Sequence, residues 1–390
     1  MSPLTANPVS PLVQSIPPSG IRRFFDLASE MDDVISLGVG EPDFVTPWRI
    51  CEAAIYSLER GRTMYTSNRG LLELREAIAE DLYNRHRLVY DPKKEILITV
   101  GVSEALDLVM RALLSPGDEV LIPEPCYVSY RPCALLSGGK PVAISTRVEN
   151  GFKPTAAQLE AAITPRTKIL ILSYPNNPTG AALSAAELMP LVEVAKKRNL
   201  FVIADEIYDH LTYNGQHTSV ASLPGMQERT ILLNGFSKAY AMTGWRVGYA
   251  AASGQIISAM NKIHQYTMLC APIMGQNAAL EALLHASEER KRMHREYDKR
   301  RRLIVAGLRD AGLECFEPGG AFYVFPSISS TGLSSEEFCE QLLKQEKVAA
   351  VPGNAFGKSG EGYIRCSYAS SLEEIKEALS RISRFVAKFS

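Results

Sequence analysis

No run of 18 apolar residues occurs in the 390-residue chain, so no helical membrane span is expected. Nor is there an excess of charge of one sign: the formal net charge is −1, which argues against a nucleic-acid surface or an acidic tail. Cysteine is sparse and scattered, at Cys51, Cys126, Cys133, Cys270, Cys315, Cys339 and Cys366, with no C-x-x-C pair. An odd number of separated thiols is expected to stay reduced, as in a cytoplasm. The six histidines do not fall at ligand spacings from these cysteines, so no metal site is expected. No G-x-G-x-x-G follows a strand-like run, which disfavours a nicotinamide enzyme. Internal repeats are absent. The first 20 residues, rich in Pro and Ser, lack the apolar core of a secretory signal. Asn177-Pro178-Thr179 has proline in the middle and cannot accept a glycan.

What is present is an ordinary globular composition, 46% apolar and 22% charged, enough to bury a large core. Short aliphatic runs recur at 95–100, 119–122, 168–172, 200–204 and 230–233. They are continuous rather than alternating, as expected of strands buried on both faces. Helical patterns lie between them. One is expected from Ser103 to Leu114 with Ser103 as its cap; another runs from Ser184 to Arg198, with Glu187 completing a capping box. Strand and helix in alternation predict an α/β fold with a three-layer, mostly parallel sheet, and such sheets gather ligands at the carboxyl ends of their strands.

After about residue 285 the texture changes. A long charged helix is expected over 288–309, its arginines interleaved with Glu288, Glu289, Glu296 and Asp298 and therefore solvated rather than bound to nucleic acid. Strands at 321–325, 348–351 and 363–368 and helices at 334–344 and 372–388 follow. The expected division is a large domain of residues 46–285 and a smaller α+β domain of residues 1–45 plus 286–390.

The most informative stretch is Asn234 to Tyr249, NGFSKAYAMTGWRVGY. Lys238 stands just past a buried strand, where partial desolvation lowers an amine's pKa and suits it to a Schiff base with an aldehyde. Arg246 offers a permanent, planar cation for a phosphate. An aldehyde and a phosphate on one small molecule suggest pyridoxal phosphate. Asp205-Glu206-Ile207-Tyr208 puts a carboxylate at another strand end, where a protonated pyridine nitrogen would pair it. Ser173 to Gly180, SYPNNPTG, can aim an Asn177 amide at a ligand oxygen. Val100 to Ala105 turns from strand into helix and makes an anion seat. Singly, each has a plain structural reading: a solvated lysine, a helix-capping Asp205, a simple Pro-Gly turn. Gly353 to Ser359, GNAFGKS, is one residue short of a nucleotide-binding phosphate loop and lacks its strand-to-helix setting.

Their order along the chain is the specific signal. Together with Leu37 to Phe44 (LGVGEPDF), Tyr65 before Asn68-Arg69-Gly70, Pro318 to Tyr323 (PGGAFY), and Tyr363 to Ala369 (YIRCSYA), it resembles the class I/II aminotransferases of the pyridoxal-phosphate fold type I. The likeness covers nearly the whole chain and is strongest to the bacterial and archaeal aspartate/aromatic subgroup. It implies that Lys238 carries the cofactor and moves the proton, and that Asp205 keeps the ring nitrogen protonated. It implies that Asn177 and Tyr208 donate to the ring oxygen and that Tyr127 stacks on the ring. Val102, Ser103, Glu104, Ser237 and Arg246 would hold the phosphate, joined by Tyr65 from a second subunit of a homodimer. Arg365 would bind the substrate α-carboxylate, with Gly40, Tyr127 and Asn177 beside it, and domain closure would gate the reaction. The implied reaction moves the α-amino group of an L-amino acid to a 2-oxo acid, 2-oxoglutarate being expected, by a ping-pong route.

Two departures stand out. Many relatives carry Ser three residues before the lysine, where this chain has Gly235; Ser237 is expected to supply the hydroxyl instead. Some aspartate-specific members carry Lys where this chain has Ser103, which widens the candidate donors to aromatic amino acids and acylated diaminopimelate. The alternatives are a cysteine-conjugate β-lyase using the same cofactor and, more remotely, a non-catalytic cofactor-binding regulatory domain.

Overall fold

A computed structural model describes residues 8–18, 20 and 31–389. Its centre is a seven-stranded sheet in the order β2-β8-β7-β6-β5-β3-β4. The strands are β2 (Ile96–Thr99), β3 (Glu119–Glu124), β4 (Lys140–Ser145), β5 (Thr167–Leu172), β6 (Phe201–Asp205), β7 (Thr230–Gly235) and β8 (Gly248–Ala251). All neighbours are parallel except β8, which runs antiparallel to both β2 and β7. Alternate residues of one strand enter opposite layers. Leu170 and Leu172 pack on one side and Ile169 and Ile171 on the other, so a strand buried on both faces needs the unbroken aliphatic run seen in the sequence.

The flanking helices that matter here are α1 (Trp48–Glu59), α2 (Leu72–His86), α3 (Gly101–Leu113), α4 (Tyr130–Leu136), α5 (Ala156–Ala162), α6 (Ala185–Lys197), α7 (Gly254–Thr267) and α8 (Ile273–His285). The Ser184–Glu187 capping box closes the start of α6 as expected. Ser103 is not a cap. Helix α3 starts two residues earlier, because Gly101, at φ +74°, turns the chain sharply out of the strand, and the Glu104 carboxylate folds back to accept from the Val100 N–H.

The charged helix α9 (Ser287–Asp310) leads away from this sheet to two small ones. In one, β1 (Ile35–Ser36) pairs parallel with β10 (Val348–Ala349). In the other, β12 (Ile364–Ser367) lies between β9 (Tyr323–Val324) and β11 (Val351–Pro352). Helices α10 (Ser335–Glu346) and α11 (Leu372–Val386) cover them. The strand expected over 321–325 shrinks to two residues because Ala321 sits at φ +59°. The run expected at 348–351 is two strands serving two different sheets.

Segment 37–46 connects the two regions. Leu37 is bound between the small sheets, its N–H donating to Ala349 O and its carbonyl accepting from Ser367 N. At the other end, Thr46 Oγ1 accepts from Trp245 Nε1 at 3.0 Å. The strap therefore crosses the carboxyl edge of the large sheet.

Candidate active site

Five chain segments leave the carboxyl edge of the large sheet and enclose a cavity of ≈ 460 Å³. Its wall includes Val102 and Ser103 after β2, Tyr127 and Tyr130 after β3, and Ser173 and Asn177 after β5. Asp205, Ile207 and Tyr208 follow β6, and Ser237, Lys238 and Arg246 follow β7. Gly40 from the strap and Tyr323 and Arg365 from the small sheet complete it. Three cations and a carboxylate thus face one recess walled by protein, where charge interactions are stronger than in bulk water.

Lys238 Nζ donates to Gly40 O at 2.7 Å. Burial lowers its pKa to about 8; Glu41 opposes the shift, and Arg365 and Arg246 add to it. Asp205 is also buried, and burial pushes its carboxyl up to about 6. That rise is held in check by two donors, the Tyr130 hydroxyl at 2.7 Å and the Ile207 N–H at 3.3 Å. Asp205 is therefore no helix cap. It is a carboxylate short of a cation at the floor of a cavity, and a protonated ring nitrogen would satisfy it.

Arg365 is 2% exposed. Its Nη1 donates to Asn177 Oδ1 at 2.9 Å and its Nη2 to Gly38 O at 2.5 Å, while its buried Nε has no partner among the described residues. The guanidinium lies over the rings of Tyr323 and Phe356, at 4.5 and 4.9 Å from their centroids. Since Asn177 accepts through Oδ1, its amide N–H groups stay available to the cavity. Tyr208 and Tyr323 share a hydroxyl–hydroxyl hydrogen bond of 2.8 Å. The strap supplies an acceptor to two of the three cations, Gly40 to Lys238 and Gly38 to Arg365, so the backbone beside the arginine is that of Gly38.

Arg246 stands at φ +56°, and its Nη1 donates to Thr243 O at 3.0 Å. A side chain at Gly101 would fall on the Arg246 guanidinium, so the first residue of α3 has to be glycine for the arginine to lie across the helix start. Val102 and Ser103 of the helix start and Ser237 line the same cavity as this cation, and their N–H and hydroxyl groups make a seat fit for a phosphate. The Glu104 side chain turns away, meeting His264 Nδ1 at 2.6 Å, and leaves only its backbone to the seat. Tyr65 lies outside the cavity and is 81% exposed.

Sequence reasoning passed over Tyr130 and Tyr323. The first could have been found from its place three residues after Tyr127 at the start of α4, the second from the PGGAFY stretch. The loop resembling a nucleotide site forms two 3₁₀ turns, Gly353–Phe356 and Lys358–Gly360, packed on each other, and its link to the site is the Phe356 ring against Arg365.

Gly235 explains one departure. A Cβ there would stand 2.9 Å from Gly248 Cα and 3.0 Å from Val247 O, backbone atoms at the start of β8 and just before it. Gly235→Ser is expected to destabilise the fold by about 1–3 kcal/mol, read from urea unfolding. An unchanged midpoint would show that β8 can move aside.

Residues 32–382 match the family model described as aminotransferase class I and II. A Bacillus subtilis chain described only as an aminotransferase is 57% identical over 97% of this chain and 98% of its own length. The aspartate aminotransferase of Pyrococcus abyssi is 48% identical over 94% of this chain and 95% of its own. Among solved structures, the aromatic aminotransferase of Pyrococcus horikoshii superimposes with a TM-score of 0.90 at 45% identity, covering 94% of this chain and 99% of that one.

Proposed function

Because this chain belongs to the class I and II aminotransferases, and is an enzyme of that kind, we propose that it is a pyridoxal-phosphate-dependent aminotransferase acting on an L-amino acid and a 2-oxo acid. Aspartate and aromatic amino acids are the donors favoured by its relatives' names, and 2-oxoglutarate is the proposed acceptor. The observation that carries the reading is the trio in one cavity: half-buried Lys238 with a lowered pKa, buried Asp205 lacking a cation, and half-buried Arg246 across a helix start.

These residues fit the cofactor. Arg246 with the Val102, Ser103 and Glu104 backbone and Ser237 would hold its phosphate. Asp205, oriented by Tyr130, would face its ring nitrogen, Asn177 and Tyr208 its ring oxygen, and Tyr127 its ring face. When bound, pyridoxal phosphate supplies an electron sink for the pair released as the substrate Cα–H bond breaks. The chain does the rest. Above about pH 8 Lys238 Nζ is mostly neutral and takes the proton from the substrate Cα. Arg365 fixes the α-carboxylate and so aims that Cα–H. The strap, tied to Arg365 through Gly38 and to Lys238 through Gly40, excludes water when the small sheets move toward the large one. We propose the same division as the connectivity, residues 46–285 as the large domain and 1–45 plus 286–390 as the small one.

A homodimer belongs to this proposal. Met64 and Tyr65 are largely exposed, as are Tyr266 and Met268, and Asn68 Nδ2 donates to Leu269 O at 2.7 Å, which joins the two segments into one apolar surface. A second copy would cover it, and Tyr65 would then reach the partner's phosphate seat. All seven cysteines are free thiols, in keeping with a cytoplasmic enzyme, and no described helix is long and apolar enough to cross a membrane.

The test mixes cofactor-loaded protein with single L-amino acids, without oxo acid, and follows the cofactor absorbance. A full conversion that 2-oxoglutarate reverses supports transamination and ranks the donors. Release of pyruvate and ammonia with no such conversion would move the assignment to a β-lyase. Light scattering on the same sample should read twice the chain mass. In this assay Arg365→Ala is expected to raise the amino-acid KM by about 100-fold, the value of a buried charge-assisted pair, and to leave cofactor affinity within about threefold. Equal losses in both would remove Arg365 from the substrate site.

A further inference from the structure

A second cavity, ≈ 380 Å³ in volume, shares no lining residue with the first. It lies between the end of α2, the segment 209–217 and the first turn of α9. Arg85, His86, Asp209, His210, His217 and Arg290 contribute to its wall. No catalytic role proposed above uses any of them.

The hydrogen bonding is out of balance. Arg85 Nη1 stands 2.9 Å from His210 Nε2, and Arg290 Nη1 stands 2.8 Å from Nδ1 and 2.5 Å from Nε2 of the same ring. A neutral imidazole has one lone pair, and a guanidinium can only donate. Whichever ring nitrogen carries the proton, its N–H therefore meets a guanidinium and finds no acceptor among the described residues. Protonating His210 would remove its remaining acceptor, and burial already drives its pKa well down. The nearby carboxylates do not repair this. Asp209 accepts from Arg85, from Asn234 Nδ2 at 2.9 Å and from the His210 N–H at 2.5 Å. Asp81 pairs with Arg85 at 3.1 Å, and Glu206 faces His217 at 3.1 Å. Arg290 has no carboxylate within ion-pair distance among the described residues. Its other neighbour is the Tyr240 ring, 5.6 Å from centroid to guanidinium carbon.

We propose that this cavity is a binding site for a small oxyanion, the phosphate or carboxylate group of a metabolite, held by Arg290 with His86 and His210. An anion supplies the acceptor missing at His210 and a direct ion-pair partner for Arg290 together, and Arg is the side chain suited to both groups. The site is coupled to the reactive strand. Asp209 is held by Asn234, whose Oδ1 accepts from Gly235 N at 2.7 Å, three residues before Lys238.

The test is calorimetric titration of the cofactor-loaded enzyme with inorganic phosphate and, in a second arm, citrate, at ionic strength matched with chloride. The cofactor's own phosphate blocks the seat at Arg246. Saturable binding of one site per chain is expected, weakened at least about tenfold in Arg290→Gln. Asn84→Asp, a change at an exposed position on the cavity wall, adds a like charge and is expected to weaken it similarly, which keeps the test open if the arginine variant does not fold. A stronger response to phosphate than to citrate assigns a phosphate source, and the reverse a carboxylate source. No saturable heat in either arm, or binding unaltered in both variants, overturns the proposal.

Discussion

Lys238→Ala abolishes transamination, lowering kcat by about five orders of magnitude or more, and removes the borohydride-trappable link between cofactor and chain. The size of the effect follows from what the amine has to do. Its Nζ lies in the one position among the described cations that combines burial, a single neutral acceptor and proximity to Asp205. Arg246 and Arg365 are permanently charged and cannot replace it as a base. Burial, the larger cause, and the two arginines bring its pKa to about 8, so a base is available near neutral pH that an exposed lysine would not supply. Mass spectrometry after borohydride treatment should place the label on Lys238 in the parent and nowhere in the variant. Added methylamine should restore a small part of the rate, because it returns an amine without its tether. Retention of turnover or of the label would sink the assignment of Lys238.

Asp205→Asn is expected to separate activity from stability. Turnover should fall by about 10³-fold, the scale of losing a preorganised charge at the reacting group. Stability of the cofactor-free chain should move the other way. The folded carboxyl titrates near 6, raised by burial above its ordinary value of 3.8. Between those values the folded chain binds more protons than the unfolded one, so the buried carboxylate costs stability as pH rises through this window and the cost persists above it. Asparagine keeps an acceptor for Tyr130 without the charge. Relative to the parent, the variant should gain little below about pH 4 and about 1–2 kcal/mol above pH 6, by urea unfolding. In the loaded enzyme the difference should shrink or reverse, since a ring cation then offsets the charge. A variant less stable at pH 8 without cofactor would show that the charge-assisted hydrogen bonds from Tyr130 and the Ile207 N–H outweigh the burial of the charge.

The core strands were legible because burial on both faces demands unbroken aliphatic runs, as at Ile169 to Leu172. Strand β8, Gly248-Tyr249-Ala250-Ala251, was not, since it carries no β-branched residue. Its small residues are there because a Cβ on Gly248 would strike the Gly101–Val102 backbone at 2.7 Å. The site was legible where one residue type at a strand end is enough to suggest chemistry, as at Asp205, Lys238 and Arg246. It was illegible where a residue acts through another. Tyr130 matters by donating to Asp205, and although its place after Tyr127 puts it near the site, that partner lies 75 residues away along the chain. The second cavity was hidden for a related reason: Arg85, His210 and Arg290 lie far apart in sequence and meet only once α2 and α9 are packed.

The strap carbonyls have a consequence for selectivity. Gly38 O and Gly40 O already accept from Arg365 and Lys238, so an arriving ligand does not land on bare cations. It trades places with an uncharged oxygen the chain carries with it. In such an exchange only the surplus over a peptide carbonyl counts toward affinity. A carboxylate has that surplus through its charge, whereas an amide or ester oxygen is nearly a match for the group it would displace and gains little. Discrimination against blocked amino acids is thus built into the resting contacts of the chain, before any closure occurs.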